Sequence, residues 1–234
     1  MPKILPVQQS ALGERVVLQL RAMIIKGELR PGTHLVESRL SEDFGVSRGP
    51  IRDALRQLEA EDLVAPQGRS LAVVGLHDED IDELYSLRES LETLALRRGS
   101  SIVRGSQWDV LNRPLDAMHE AAARGDAAEF AVADLAFHSC FYDLAGHRRL
   151  RNVWQQYLPT FTVLLQVTTA YDTDLRPSAD SHQLLLDLLR SGRVEDAVVE
   201  LSAHLFGAGE RLRAVRSAQL QSASSEPDSA EGAW

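Results

Sequence analysis

The chain is predicted to be mostly α-helical and built in two parts. A small module of three helices closed by a two-stranded wing comes first, and an all-α antiparallel helical bundle follows. Three observations predict this. Apolar residues recur at helical spacing near the N-terminus and again over residues 51–58. A short stretch after Val64 alternates around a glycine turn, as paired strands do. Beyond Gly75 only long helical patterns remain.

The elements follow in order. From Ser10 to Lys26, Leu12, Val16, Leu20 and Ile24 mark one helix face, and Gly27 stops it. "ELRPGTHLVE" reads as a turn punctuated by Pro31-Gly32, and "SRLSEDFG" as a short helix closed by Gly45. The next helix starts at Ser47, a natural N-cap, with Pro50 tolerated in its first turn. "VAPQGRSLAVVG" reads as two strands about a Gln67-Gly68-Arg69 turn. Helix, helix, turn, helix and wing make a winged helix-turn-helix over residues 1–75. Residues 76–216 are expected to hold six helices, near 78–98, 106–124, 126–145, 148–170, 179–191 and 194–216. The Ser/Ala/Glu-rich end, 217–234, lacks periodicity and is expected to be disordered.

Composition narrows the function classes. No apolar run approaches the about 18 residues of a membrane helix, and the opening decapeptide lacks a leader's apolar segment. The single cysteine, Cys140, fits a reducing cytoplasm and is expected to fill core space. A net charge of −9 argues against nucleic acid until the chain is divided. Residues 1–75 hold 10 Lys+Arg and 9 Asp+Glu; the remaining 15 and 25 leave a balance of −10 in the second part. Overall acidity therefore says little about a module whose cations share one face.

Such a face exists in "VSRGPIRDALRQLEAEDLV". Arg48, Arg52 and Arg56 recur every four residues and form a cationic stripe, separate from the apolar stripe Ile51, Ala54, Leu55 and Leu58. The N-terminal end of such a helix reads base edges in the major groove, where arginine pairs with guanine O6 and N7. Ser47, the helix N-terminus and the wing's Arg69 suit phosphates. The plainer alternative is a solvated face, with Asp53, Glu59 and Glu61 pairing with the arginines.

The segment "LSEDFGVSRGPIRDALRQLEAEDLV" closely resembles the GntR family of bacterial transcription regulators, over roughly residues 10–75. The resemblance places Ser47, Arg48, Gly49 and Arg52 on DNA contacts and Gly68 at the wing tip. Two positions depart. Gly49 stands where threonine is common, and Ser38 where many members have arginine, with Arg39 shifted by one.

The second part carries polar residues on apolar faces. Phe130, Asp134, Phe137, His138 and Phe141 fall within about 100° on one helix. His182 shares a face with Leu185, Leu186 and Leu189, and His204 with Ala197, Leu201, Leu205 and Ala208. Three histidines and one carboxylate thus face a bundle core, and one divalent metal would satisfy all four. The spacing itself is not distinctive. Asp143/His147 and Glu200/His204 repeat it, and each histidine taken alone reads better as a core residue bonded to a carbonyl.

Residues 78–216 resemble the all-helical FCD effector domain of the FadR-like GntR branch. That resemblance implies a metal held by Asp134, His138, His182 and His204, in that order, with Ser181 replacing the usual glutamate before the third ligand. His and Asp donors suit Zn²⁺; Ni²⁺ or Mn²⁺ also fit. Arg88 lies among Ile81, Leu84, Leu91 and Ala95, and the resemblance makes it a carboxylate clamp facing the effector pocket. A buried salt bridge to Glu92 or to another helix is the alternative. The implied protein is a homodimeric regulator, most often a repressor, on a palindromic operator, answering a small carboxylate metabolite at the metal. Two rivals remain: a regulator with a metal-free organic pocket, and a metal-dependent helical enzyme. No second carboxylate or histidine clearly offers the enzyme a general base on an apolar face.

Overall fold

The computed structural model describes residues 9–103 and 105–225. Its contacts separate into two units, one ending at His77 and the other beginning at Asp78. The first holds α1 (Gln9–Ile25), β1 (His34–Leu35), α2 (Glu37–Asp43), α3 (Arg48–Ala60), β2 (Val64–Gln67) and β3 (Ser70–Val73). The core of this unit is α1 against α3. Val16, Val17, Leu20 and Ile24 are buried with Ile51, Ala54, Leu55 and Leu58, while Leu12 at the end of the stripe is 40% exposed. Each buried Ile or Leu adds about 1.5–3 kcal/mol of apolar burial, which fixes the opposite face of α3 toward solvent. Inside the same unit Arg21, wholly buried, donates from Nε and Nη2 to Glu61, at 2.7 and 2.6 Å.

The wing differs from its reading in one respect. His34 and Leu35, taken from the sequence as turn, pair antiparallel with Ala72 and Leu71, so the sheet has the order β1-β3-β2. Two residues are too short for periodicity, and their partners lie far along the chain. At the wing tip Gly68 has φ 64°, a left-handed conformation that favours glycine.

The second unit contains α4 (Asp78–Ile102), α5 (Asn112–Arg124), α6 (Ala127–Leu144), α7 (Arg148–Tyr171), α8 (Arg176–Arg190) and α9 (Val194–Ser225). Asp126 caps α6 by accepting from the Glu129 amide at 2.9 Å, and His147 caps α7 by accepting from Leu150. Three expectations are corrected. Helix α4 does not stop before Gly99 but runs to Ile102. A Cβ at Gly99 would meet Trp108, Leu144 and Ala145 at 3.7–3.8 Å, so this glycine serves close packing rather than termination. The segment expected as one helix from 106 is a 3-10 turn, Gly105–Leu111, followed by α5. Helix α9 passes 216 and reaches Ser225, because Ala, Gln and Leu favour helix where the wider composition suggested disorder. The rest of the expected tail, 226–234, lies outside the described residues. Cys140 is also only half-buried instead of core-filling; burial and then Asp143 push its thiol up to about 11. No helix among the described residues is long and apolar enough to cross a membrane.

Candidate functional site

Helix α3 docks through its apolar stripe, and this leaves Arg48, Arg52 and Arg56 exposed together. Ser47 has the backbone of an N-cap, φ −69° and ψ 165°, but its hydroxyl makes no capping bond. Gly49 is exposed, and a Cβ there would meet nothing within 4 Å. A cleft of about 780 Å³ runs between the start of α2, the face of α3 and the wing, lined in part by Glu37, Arg48, Arg52, Arg56, Gly68 and Arg69. The pairing foreseen with Asp53, Glu59 and Glu61 does not occur. Arg52 donates from Nε to Glu37 at 2.8 Å, Glu61 is taken by Arg21, and Arg48, Arg56 and Arg69 form no ion pair among the described residues. Arg39, exposed on α2, lies 3.9 Å from Asp43 and outside that cleft.

The second unit gathers its polar residues elsewhere. Asp134 and His138 from α6, His182 from α8 and His204 from α9 each offer one ligand atom, and these atoms lie within 4.8 Å of one another. The first three are buried, while His204 is partly exposed rather than enclosed. The other pairs of the same spacing are used differently. Asp143 pairs with Arg151 at 2.8 Å, His147 caps α7, and Glu200 accepts from Ser181 at 2.6 Å.

Hydrogen bonds set the tautomers of this cluster. His138 Nδ1 is 2.6 Å from Glu92 Oε2, and His182 Nδ1 is 2.7 Å from the Ser178 carbonyl. Each acceptor takes a hydrogen bond from Nδ1–H, so in the neutral ring the lone pair lies on Nε2. Those two Nε2 atoms face each other at 3.1 Å, and His182 Nε2 stands 3.3 Å from Asp134 Oδ2. With both rings neutral, three electron-pair donors converge, and Asp134 Oδ1 is buried without a hydrogen bond. A divalent cation satisfies such an arrangement, so the residues fit a metal.

The electrostatics agree. Burial lowers the His138 pKa and outweighs Glu92, which raises it; burial, then His182 and His138, hold His204 well below its ordinary value. Burial raises the Asp134 pKa, while any positive charge carried by the histidines, His182 first, lowers it below the carboxylate range. Glu92, opposed by burial, is likewise kept ionised by Arg88 and His138. Its other oxygen accepts from Arg88 Nε at 2.6 Å, so the salt bridge weighed as an alternative for Arg88 is present. Arg88 still has Nη2 without a hydrogen bond, 4.0 Å from Asp134 Oδ1, and its guanidinium lies over Trp154 and Phe161.

Beside His204 opens a cleft of about 380 Å³, lined also by Ser178, Ser181, Glu200, Asp172 and Arg211. Arg211 Nε has no hydrogen bond and lies 3.7 Å from Asp172.

Known proteins carry the same two units. Residues 12–74 match the family described as "Bacterial regulatory proteins, gntR family", and residues 83–207 match the FCD domain. This chain belongs to the GntR family, in its FCD-domain branch. The gluconate operon transcriptional repressor of Bacillus licheniformis is 29% identical over 79% of this chain and 78% of its own length. A probable D-xylose utilization operon transcriptional repressor of Paenarthrobacter nicotinovorans is 28% identical over 81% and 85%. Among solved structures, a GntR transcriptional regulator from Rhodococcus sp. RHA1 is 27% identical with a TM-score of 0.63, over 87% of this chain and 98% of that one. Escherichia coli McbR/YncC, 20% identical with a TM-score of 0.64 over 89% and 98%, shares the fold.

GntR proteins are transcriptional regulators that bind DNA and typically act as dimers; they are not enzymes. The GntR segment contains the exposed arginines of α3, and the FCD segment contains Arg88 and the His/Asp cluster. Two participants escaped the sequence reading. Glu92 entered only as a partner for Arg88, although a carboxylate four residues on from a core arginine was a signal for a buried polar chain reaching His138. Arg211 follows His204 by seven residues, two turns of one helix, which places it on the same face.

Proposed function

We propose that this GntR regulator is a homodimeric repressor acting in the cytoplasm. Residues 1–75 bind a palindromic operator and 76–216 hold the effector. In this reading Arg48 and Arg52 read base edges in the major groove. Ser47, Gly49, Gly68, Arg69 and Arg39 face the sugar-phosphate backbone. Asp134, His138, His182 and His204 hold a divalent metal, zinc by donor chemistry, with nickel or manganese as alternatives. The observation that carries the effector half is the pair of Nε2 atoms facing each other at 3.1 Å, while each ring's Nδ1 donates elsewhere.

When bound, the ion supplies a Lewis-acidic centre that attracts an anionic oxygen. The protein's own groups do the rest. Glu92 fixes the His138 ring and fills one edge of Arg88, leaving Nη2 as the donor that a carboxylate can take. Arg211 and the partly exposed His204 border the cleft by which a small acid enters. Binding there favours one arrangement of the bundle only through a difference in affinity between two arrangements, and that difference sets operator affinity. Two Bacillus relatives are gluconate operon transcriptional repressors, so sugar acids head the panel of effectors.

The test begins with purified full-length protein and elemental analysis, which should find about one divalent ion per chain. A palindromic duplex recovered from random-sequence DNA should then be released by a small carboxylate. His182→Ala should bind the duplex but lose both metal and release. If that variant keeps both, the site is wrong; if no palindrome is enriched, the DNA reading is wrong.

A further inference from the structure

The cleft between α2, α3 and the wing is lined by several arginines and, among its lining residues, a single carboxylate, that of Glu37. Glu37 is the first residue of α2, and its Oε2 accepts from Arg52 Nε at 2.8 Å across 15 positions of sequence. A carboxylate on a surface that meets phosphates is unfavourable unless it does something for its neighbours. We propose that Glu37 is a positioning residue that dedicates Arg52 to reading guanine.

The geometry of guanidinium explains how. The group has two usable edges: one pairs Nε with a terminal nitrogen, and the other presents both terminal nitrogens end-on. Glu37 occupies the Nε proton, so the end-on pair remains for the O6 and N7 acceptors of a guanine. Holding Nε also limits the rotamers of a long side chain that is about half exposed, 54% by area, so less freedom is lost when the base is met. The anion next to it reduces the attraction of Arg52 for a phosphate. Arg48 and Arg56, four residues to either side on the same face, have no ion pair among the described residues and keep their full charge for the backbone or a base. One stripe of three identical side chains is thereby divided by a single acid from another helix.

This inference rests on the proposed DNA contact of Arg52, and the experiment separates the two. Full-length wild type, Arg52→Ala, Glu37→Ala and Glu37→Gln would each select duplexes from a random-sequence pool, followed by titrations against salt. Arg52→Ala should erase one guanine preference. Glu37→Ala should lower that same preference about tenfold, with total affinity for duplex kept and the salt dependence steeper by about one phosphate. Glu37→Gln, whose amide oxygen still accepts from Nε, should restore most of the preference. If Glu37→Ala leaves the guanine untouched while Arg52→Ala erases it, the positioning role fails and the DNA contact stands. If Glu37→Ala instead loses a different base, Glu37 reads DNA directly and the inference is overturned. If Arg52→Ala changes nothing, the contact itself is wrong.

Discussion

The exposed face of α3 carries guanidinium groups and the buried face of α6 a carboxylate and an imidazole, and the two solve opposite problems. On α3 the arginines are exposed and two of the three have no ion pair among the described residues, so water keeps them soluble at little cost until a polyanion replaces it. On α6, Asp134 and His138 are buried, where a polar group without a partner is expensive. There the chain has built a connected network, Arg88 to Glu92 to His138, and left lone pairs converging at one point. Exposed charge keeps many partners open and is sensitive to salt. Buried charge specifies one small occupant and couples it to stability.

That contrast can be broken or sharpened by four measurements. Glu92→Ala should have the largest effect, because it strands the Arg88 guanidinium in the core. A loss of about 3–5 kcal/mol in chemical unfolding is expected, and Glu92→Gln, which keeps an acceptor, should lose less. Stripping metal with a chelator should come next, lowering stability by about 3 kcal/mol when the ion is normally present at a hundredfold or more above its dissociation constant. A melting temperature that does not change on chelation and does not recover on adding Zn²⁺ would detach the cluster from metal. Arg48→Ala should leave stability and metal content unchanged while duplex affinity falls about tenfold. Unaltered affinity would show that the exposed face is merely solvated. The smallest change is a gain. Because nothing crowds Gly49, Gly49→Thr should fit without strain and add a hydroxyl to the backbone contacts. A rise in affinity of about two- to fivefold at low salt is expected, and weaker binding would place the α3 terminus away from the phosphates.

Much of both regions was readable in one dimension. A period of four separated the arginines from Ile51, Ala54, Leu55 and Leu58, and each of those four is buried. The histidines announced themselves by sharing faces with Phe and Leu. What escaped was whatever depended on a second element. His34–Leu35 becomes a strand only because Leu71 and Ala72 pass beside it. Gly99 looked like a helix stop and is instead the place where Trp108 and the end of α6 come close. His204 sat on an apolar stripe but borders a cleft, since neighbours and not spacing decide exposure.

The residue order by itself determined which side of each helix is oily, where the helix-turn-helix and its wing begin, and which four side chains are out of place in a core. Those properties are local, because helical periodicity is a relation between residues a few positions apart. Only the tertiary structure decided that Glu92 holds His138 across 46 positions and that Arg52 is held by Glu37 and not by a nearer acid. It also turned two Nε2 atoms toward each other. Such pairings depend on how helices are set side by side, and no single helix carries that information.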